Sequence, residues 1–513
     1  MMLLGAVAIS VHAQDIELPA PDGKIVIPSS SIVRPEDIAA RRAHTNIILY
    51  IHPDNTQPGS TWETPASIAC VYHLVPQVSG CPINGTTTNP TGGSGAIALV
   101  EAYDYPTAAN DLAVFSSHFG LPPANLAIVY ATGTKPPPDP FAGGWDAEQA
   151  LDMEWAHAMA PQAKIFLVQA ASQDLSDLLT AEQVASNAVT AAGGGEVSNS
   201  WGYPEQSSYN LDDSYFTSPG VVYFASSGDY PFTLSYPAVS PNVIAAGGTS
   251  LQRDGSGNFT GEVYWDNFCG GGGGGLSTIE NRPSYQDVIA SIVGTHRGVP
   301  DISSDADCLT GPAVYDSTPW NGQVPGWFQA GGTSVSSPTL AGIANVAGAA
   351  DTAAALAEIY TDYGTIEYSR EYRDITQGDS NCKVGWDICT GVGSPLTYAA
   401  MAGPDFSITA KFTPPPFKYA FPTHWTVTVT AKGGFNDTVA LSCSPPAGGF
   451  CSLSPTSIAG SGTSQVTLNS LGNGTIVTGT SGEQGADGAQ SLTHSVVLEY
   501  EPPPPPCRPP HCE

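Results

Sequence analysis

The stretch Gly331-Gly332-Thr333-Ser334-Val335-Ser336-Ser337-Pro338 sets a serine at a glycine-rich turn, and the run Thr339–Ala350 after it has helical character. A serine entering a helix is exposed, and the helix N-terminus favours negative charge beside it. That is the setting of a nucleophile, and equally of an ordinary capped helix. A nucleophilic serine needs a base. None of the 10 histidines stands in a recognisable catalytic frame, so carboxylates are the alternative. In Trp145-Asp146-Ala147-Glu148-Gln149-Ala150-Leu151-Asp152, Glu148 and Asp152 are four apart and stack on one helix face. Asp146 reads as the N-cap of that helix, with Gln149 completing a capping-box pair. Two carboxylates so close repel, so one pKa rises and the pair can hold a proton at mildly acid pH. A solvated helix surface carries the same spacing. Tyr223-Phe224-Ala225-Ser226-Ser227-Gly228-Asp229 is an apolar strand ending in a turn, where Asp229 is either a turn residue or a functional carboxylate.

The elements that must hold these residues alternate. Candidate strands are Ala96–Glu101, Leu126–Tyr130, Lys164–Gln169, Glu196–Ser200, Val221–Ser226 and Val243–Ala246. Helical patterns lie between them around Thr107–Phe119, Asp146–Ala160, Leu175–Ala192 and Glu205–Tyr215. Apolar strands alternating with helices predict an α/β fold, a parallel sheet covered by helices on both faces. Sites in such sheets gather at the C-terminal ends of the strands. Gly270–Gly275 reads as a loop lining a site. After Gly403-Pro404 the pattern changes to short alternating strands separated by turn residues, which predicts a small all-β sandwich over 404–500. A Pro-rich tail follows over 501–513.

Composition bounds the partners and the compartment. The 513 residues carry 47 Asp+Glu against 16 Lys+Arg, a formal net charge of −31. So little positive charge excludes nucleic acid and leaves few ion pairs for acid to break. Residues 1–13 form a short apolar stretch ending Val11-His12-Ala13, which reads as a signal peptide and implies a secreted, extracellular protein. No other stretch is apolar for long enough to span a membrane. Ten cysteines in an exported chain imply disulfides. Their spacing suggests Cys70–Cys81, Cys269–Cys308, Cys382–Cys389, Cys443–Cys451 and Cys507–Cys512, although spacing alone does not determine connectivity.

From Gly95 to Pro395 the ordered motifs resemble the sedolisin family of serine-carboxyl peptidases. They are Glu101, the Glu148/Asp152 pair, Ser198-Asn199-Ser200-Trp201-Gly202, Ala225-Ser226-Ser227-Gly228-Asp229, the polyglycine loop, Pro283-Ser284-Tyr285-Gln286, Arg297-Gly298-Val299-Pro300-Asp301 and Gly332-Thr333-Ser334. The resemblance implies a subtilisin-like fold in which glutamate replaces histidine. It makes Ser334 the nucleophile, Glu148 the general base and acid, Asp152 the residue orienting Glu148, and Asp229 the oxyanion-hole donor. Glu101 and Trp201 resemble positions that extend the network around Glu148. A carboxyl donates to an oxyanion only when protonated, and a glutamate base is expected to stay usable where imidazole is already charged. Both place activity in acid.

The resemblance also implies one structural calcium ion. Its ligands would be the Asp374 and Asp387 carboxylates and the carbonyls of Ile375, Lys383 and Gly385. Lys383 stands where the family has glycine, and the loop is shorter than usual. Family members carry a long N-terminal prodomain. Here about 80 residues lie between the apolar start and Ala96, and Arg42–Tyr50 reads as a strand or arm of the peptidase domain. Self-maturation therefore has no support in the sequence.

The expected organisation is a signal peptide at 1–13, an N-terminal arm at 14–90, a peptidase domain at 91–403, an immunoglobulin-like sandwich at 404–500 and the tail. The expected function is a secreted, monomeric endopeptidase acting in acid on proteins or peptides. Its sandwich would be a spacer or would contact a surface or polysaccharide. The alternatives are a neutral or alkaline subtilisin-type protease and a non-catalytic binding protein on the same fold.

Overall fold

The computed structural model describes residues 14–498, apart from 142, 207–211, 320–325, 367, 402–404, 414–421, 433–437, 447, 471–472 and 482–492. The signal peptide, the Pro-rich tail and the Cys507–Cys512 pair expected from the sequence lie outside the described residues. The chain divides into two compact units at 403/404.

The first unit is built on a mainly parallel sheet. Its strands are β1 (Ala96–Ala102), β2 (Asn125–Tyr130), β3 (Lys164–Ala170), β4 (Gly195–Asn199), β5 (Val221–Ser226), β6 (Ile244–Arg253), β7 (Phe259–Tyr264) and β8 (Ile302–Asp305). They lie in the order β7-β6-β5-β4-β1-β3-β2, with β8 parallel beside β6 and β7 antiparallel at one edge. Every residue of β1 is buried, as expected of a strand with helices on both faces. The covering helices include α1 (Ala108–Phe119), α2 (Gly144–Met159), α3 (Leu175–Ala191), α4 (Thr333–Ala347) and α5 (Thr352–Tyr363). All of α2 is buried, and it packs along α4. Its apolar residues surround the helix rather than form one stripe, the pattern of a core helix. This pairing of α2 with α4 brings the sequence-distant carboxylates and serine together.

Two expectations are corrected here. Asp146 is not an N-cap: α2 begins at Gly144, and Asp139 supplies the cap by accepting from the N–H groups of Gly143 at 2.9 Å and Trp145 at 3.0 Å. Of the helix expected at Glu205–Tyr215, the described residues contain a single 3-10 turn, Asp213–Phe216. Glu205 is drawn elsewhere, accepting from the N–H and hydroxyl of Thr278 at 3.0 and 2.7 Å.

The N-terminal arm is woven into this unit. A five-stranded antiparallel sheet runs in the order Ile16–Ala20, Gly23–Ile27, Ile48–Ile51, Gly326–Gly331, Ala313–Asp316. Its fourth strand leads directly into α4. Disulfides Cys70–Cys81, Cys269–Cys308 and Cys382–Cys389 close loops of this unit, and Cys443–Cys451 closes one in the second. No single helix among the described residues is long and apolar enough to cross a membrane.

The second unit has two four-stranded antiparallel sheets. Strands Cys451–Ser454 and Ser457–Ala459 are additional to those read from the sequence. Phe406 and Val429 of one sheet share a buried cluster with Val439, Leu441 and Ile458 of the other.

Candidate active site

Ser334 lies in the first turn of α4, where backbone N–H groups have no partner within the helix. The preceding residue but one, Gly332, has φ 97°, and a Cβ there would stand 2.0 Å from the Asn46 carbonyl oxygen and 2.6 Å from Asp229 Oδ2. Only glycine allows the backbone to turn here and lets both oxygens approach. The Ser334 N–H donates to the Asn46 carbonyl at 3.1 Å, and its hydroxyl donates to the Ser200 carbonyl at 3.2 Å.

Asp229 follows the end of β5, at the C-terminal edge of the sheet. Its Oδ1 accepts from the Thr333 N–H at 2.7 Å and the Thr333 hydroxyl at 2.9 Å, while Oδ2 is buried with no partner. Burial pushes the Asp229 carboxyl up to about 7 against the lowering effect of Thr333. The carboxyl is therefore neutral in acid, with a proton to give at the free oxygen. The polyglycine loop packs against this turn, the Gly271 N–H donating to the Asp229 carbonyl at 3.0 Å and Gly273 to that of Gly228 at 2.8 Å. A Cβ at Gly273 would stand 2.2 Å from the Ser227 carbonyl, so the loop's composition is what permits contact.

Glu148 and Asp152 lie on α2, and Glu101 stands one residue before the end of β1; all three are fully buried. Asp152 Oδ1 accepts from the Ser200 hydroxyl at 2.8 Å. Asp152 is pushed up to about 8 by burial, with donors on Ser200 and Glu101 pulling it back. Burial, then the charges of Asp152 and Glu148, hold Glu101 well above the usual carboxylate range. Neither Glu148 oxygen has a close hydrogen-bond partner. Burial, then the Asp152 charge, raises Glu148 strongly, and the Ser334 hydroxyl is the leading opposing donor. That interaction is too long or too poorly aligned to be a hydrogen bond here.

Ser334, Glu148, Asp152, Asp229 and Glu101 are brought together, but Trp201 makes a different contribution. Its indole N–H is buried without a partner, and its backbone pairs with Thr45. Sequence reasoning gave no role to Asn46 or Thr333. Asn46 also donates from its side chain to the Ser226 hydroxyl at 2.7 Å and from its N–H to the Ser200 carbonyl at 3.3 Å. The signal that could have found Asn46 is weak, a polar residue in an apolar strand-like run. Thr333 was visible only as the neighbour of Ser334.

In the expected metal loop Asp374 Oδ2 accepts from the Gly385 N–H at 2.9 Å, and Asp387 accepts from the N–H groups of Lys383, Cys389 and Thr390. Asp387 is pushed up to about 6 by burial first, with the Asp374 charge adding to it. Lys383 turns its ammonium away, to the Ser380 carbonyl at 2.5 Å. Carboxylate and carbonyl oxygens of this kind are the donors a hard divalent ion takes.

Over 352 residues the chain is 30% identical to kumamolisin from Bacillus sp. (strain MN-32), a match covering 58% of each chain. It is 26% identical over 351 residues to sedolisin from Pseudomonas sp. (strain 101), covering 61% of this chain and 58% of that one. Tripeptidyl-peptidase 1 of Dictyostelium discoideum is 26% identical over 365 residues, covering 61% and 55%. The chain thus spans less than two thirds of the length of these curated relatives. No family model matches the chain. Among solved structures, Pseudomonas sedolisin, a serine-carboxyl proteinase in complex with two molecules of pseudo-iodotyrostatin, superimposes with a TM-score of 0.54 at 24% identity. That likeness covers 66% of this chain and 96% of that chain. Serine-carboxyl peptidases of the sedolisin family are therefore homologues of this chain, and its first unit has the subtilisin-like α/β fold.

Proposed function

We propose that the protein is a secreted serine-carboxyl endopeptidase that hydrolyses proteins or peptides in acid. The observation that carries this reading is the convergence on one point of the Ser334 N–H and the free oxygen of a raised Asp229 carboxyl. The Ser334 hydroxyl adds to the scissile carbonyl while Glu148, in its ionised form, takes the proton. The Ser334 N–H and the neutral Asp229 carboxyl donate to the oxyanion. The C–N bond breaks as Glu148 returns the proton to the departing amine, and water then hydrolyses the ester on Ser334 by the same steps. Asp152, tied to Ser200, orients Glu148, and Glu101 donates into Asp152.

This scheme needs one negative charge in the carboxyl cluster and none on Asp229. Burial is the first cause of all these upward shifts, so hydration of the cleft lowers them together. Ionisation of Asp229 ends activity on the alkaline side. Among the described residues no histidine bonds Ser334, which counts against the subtilisin-type alternative. We place one calcium ion at Asp374 and Asp387 with the carbonyls of Ile375, Lys383 and Gly385; it would neutralise the two carboxylates and stiffen the loop. The second unit is proposed as an immunoglobulin-like spacer or surface-contact module.

Hydrolysis of an unfolded protein substrate between pH 2 and 8 tests the reading, with Ser334→Ala alongside. Activity confined to acid and lost by at least about 10⁴-fold in the variant is expected. Activity unaffected by the substitution, or rising steadily above pH 8, overturns it.

A further inference from the structure

A neutral carboxyl has two oxygens that can carry its proton, and only one of them can face an oxyanion. At Asp229 that one is Oδ2, which has no partner and stands 2.6 Å from the point where a Cβ of residue 332 would be. Oδ1 is held by a single residue, Thr333, the first of α4 and fully buried. The Thr333 N–H donates to Oδ1 at 2.7 Å and its hydroxyl at 2.9 Å. The direction of the hydroxyl is settled by a third contact. Its oxygen accepts from the Gly228 N–H at 3.0 Å, which leaves the hydroxyl hydrogen for Oδ1. The methyl is placed as well, against β6, where a Cβ on Gly248 would stand 3.3 Å from Thr333 Cγ2. A β-branched side chain with both branches engaged is held in one rotamer.

We infer that Thr333 is a positioning residue for the proton of Asp229: by filling Oδ1 with two donors it leaves Oδ2 to carry the proton and give it to the oxyanion. The inference rests on the peptidase reading above and deepens it by naming the residue that aims the acid. A carboxyl oxygen has two lone pairs, and with both taken by Thr333 none is left on Oδ1 for a proton. Exchanging the two oxygens by rotation would break both bonds and set an O–H against two donors. The same contacts have a second effect, of opposite sign. Donors on a carboxylate favour its charged form, so Thr333 holds Asp229 down against burial. Thr333 therefore narrows the pH range in which Asp229 is neutral while aiming the neutral form. The titratable groups that feel the Asp229 charge are Glu148 on α2 and Tyr230 beside it in the chain.

These two effects separate in variants. Thr333→Val keeps the shape and the N–H but removes the hydroxyl donor. Asp229 should then stay neutral to higher pH, so the alkaline limb of activity moves up by about half to one pH unit, the size of one hydrogen bond. At the same time kcat should fall by about tenfold, a part of the 10²–10³-fold that a whole oxyanion donor supplies, with KM unchanged. Thr333→Ser keeps the hydroxyl and should restore the wild-type limb and most of kcat. In Asp229→Asn the same donors would seat the amide oxygen at the Oδ1 position and turn the NH₂ to the oxyanion. Adding Thr333→Val to that variant should again lower kcat, now with no limb to move. A residue that only supports the fold would lower stability and leave the limb in place.

Steady-state hydrolysis of an unfolded protein as a function of pH tests this in the full chain and these four variants, with thermal unfolding to show that each is folded. Thr333→Ala takes the place of Thr333→Val if valine does not fold. An upward limb and lower kcat in Thr333→Val, both reversed in Thr333→Ser, are expected. An active wild type whose limb stays in place in Thr333→Val, or a serine variant that behaves like valine, overturns the inference and leaves the peptidase reading standing. If the wild type hydrolyses nothing, or Ser334→Ala hydrolyses as well as the wild type, the peptidase reading falls. Carbon NMR titration of the Asp229 carboxyl, assigned by its loss in Asp229→Asn, then decides what remains. A midpoint raised by Thr333→Val and restored by Thr333→Ser would keep Thr333 as the residue that holds this carboxyl. An unmoved midpoint would remove that as well.

Discussion

Two regions beside one sheet bury acids in opposite ways. Asp301, just before β8, has both oxygens doubly satisfied. Oδ1 accepts from Arg297 Nη1 and the Tyr360 hydroxyl at 2.7 Å each, and Oδ2 from Arg297 Nη2 at 2.5 Å and the Ala245 N–H at 2.8 Å. Arg297 and Asp301 are both fully buried. Glu148 and Glu101 are buried as completely and Asp229 in part, yet they leave oxygens without partners, and among the described residues no cation bonds them. The first arrangement satisfies a charge pair for structure. The second raises acids whose charged form burial disfavours, a pattern found at sites of proton transfer.

The comparison breaks most severely at Asp301. Removing that carboxylate with Asp301→Ala strands the Arg297 guanidinium in the core, and unfolding free energy should fall by about 3–5 kcal/mol. Denaturant unfolding checks this, and the shape of the activity–pH profile should not change. At Asp229 the order is reversed. Asp229→Ala should lower kcat by about 10²–10³-fold, the effect of one oxyanion donor, with little loss of stability. Asp229→Asn sharpens the point, because an amide donates at any pH. That variant should keep more activity than alanine and lack the decline expected of the wild type as pH rises through about 7.

Stability itself should follow the uncompensated group. Asp229 and Asp152 have folded values of about 7 and about 8, above the unfolded value of about 3.9. The folded state therefore binds more protons between these limits. Their contribution is complete below about pH 4 and is lost as pH rises through 7 and 8. The midpoint of thermal unfolding of Ser334→Ala, followed from pH 4 to 8, should fall steadily. The smallest effect is expected at Glu101, whose strong upward shift keeps it neutral. Glu101→Gln retains the form of a protonated carboxyl and should change kcat by less than about tenfold. Glu148→Gln, which removes the base, should cost about 10²–10⁴-fold.

Much of this was legible in the linear chain. Apolar runs such as Ala96–Glu101 and Val221–Ser226 admit one reading, strands buried on both faces, and they are strands in the structure. The Glu148/Asp152 spacing needed only helix geometry to put both acids on one side of α2. Asp146 failed as a cap because Asp139, several residues upstream, folds back to the same N–H groups, and a loop's path is not written in a local pattern. The helix expected at Glu205–Tyr215 gave way to a contact with Thr278, far along the chain.

Spacing and periodicity marked Ser334 and the Glu148/Asp152 pair as candidates and located the strands of the sheet, because these are local properties, while their roles came from the family resemblance. The contact between Asn46 and Ser334 was decided only in three dimensions. Nothing within Arg42–Tyr50 says that Asn46 will meet Ser334. That meeting depends on Gly23–Ile27 pairing with Ile48–Ile51, on Ile48–Ile51 pairing with Gly326–Gly331, and on Trp201–Gly202 accepting His44–Thr45. Long-range strand pairing is set by which surfaces can be buried together, and no window of sequence contains that information.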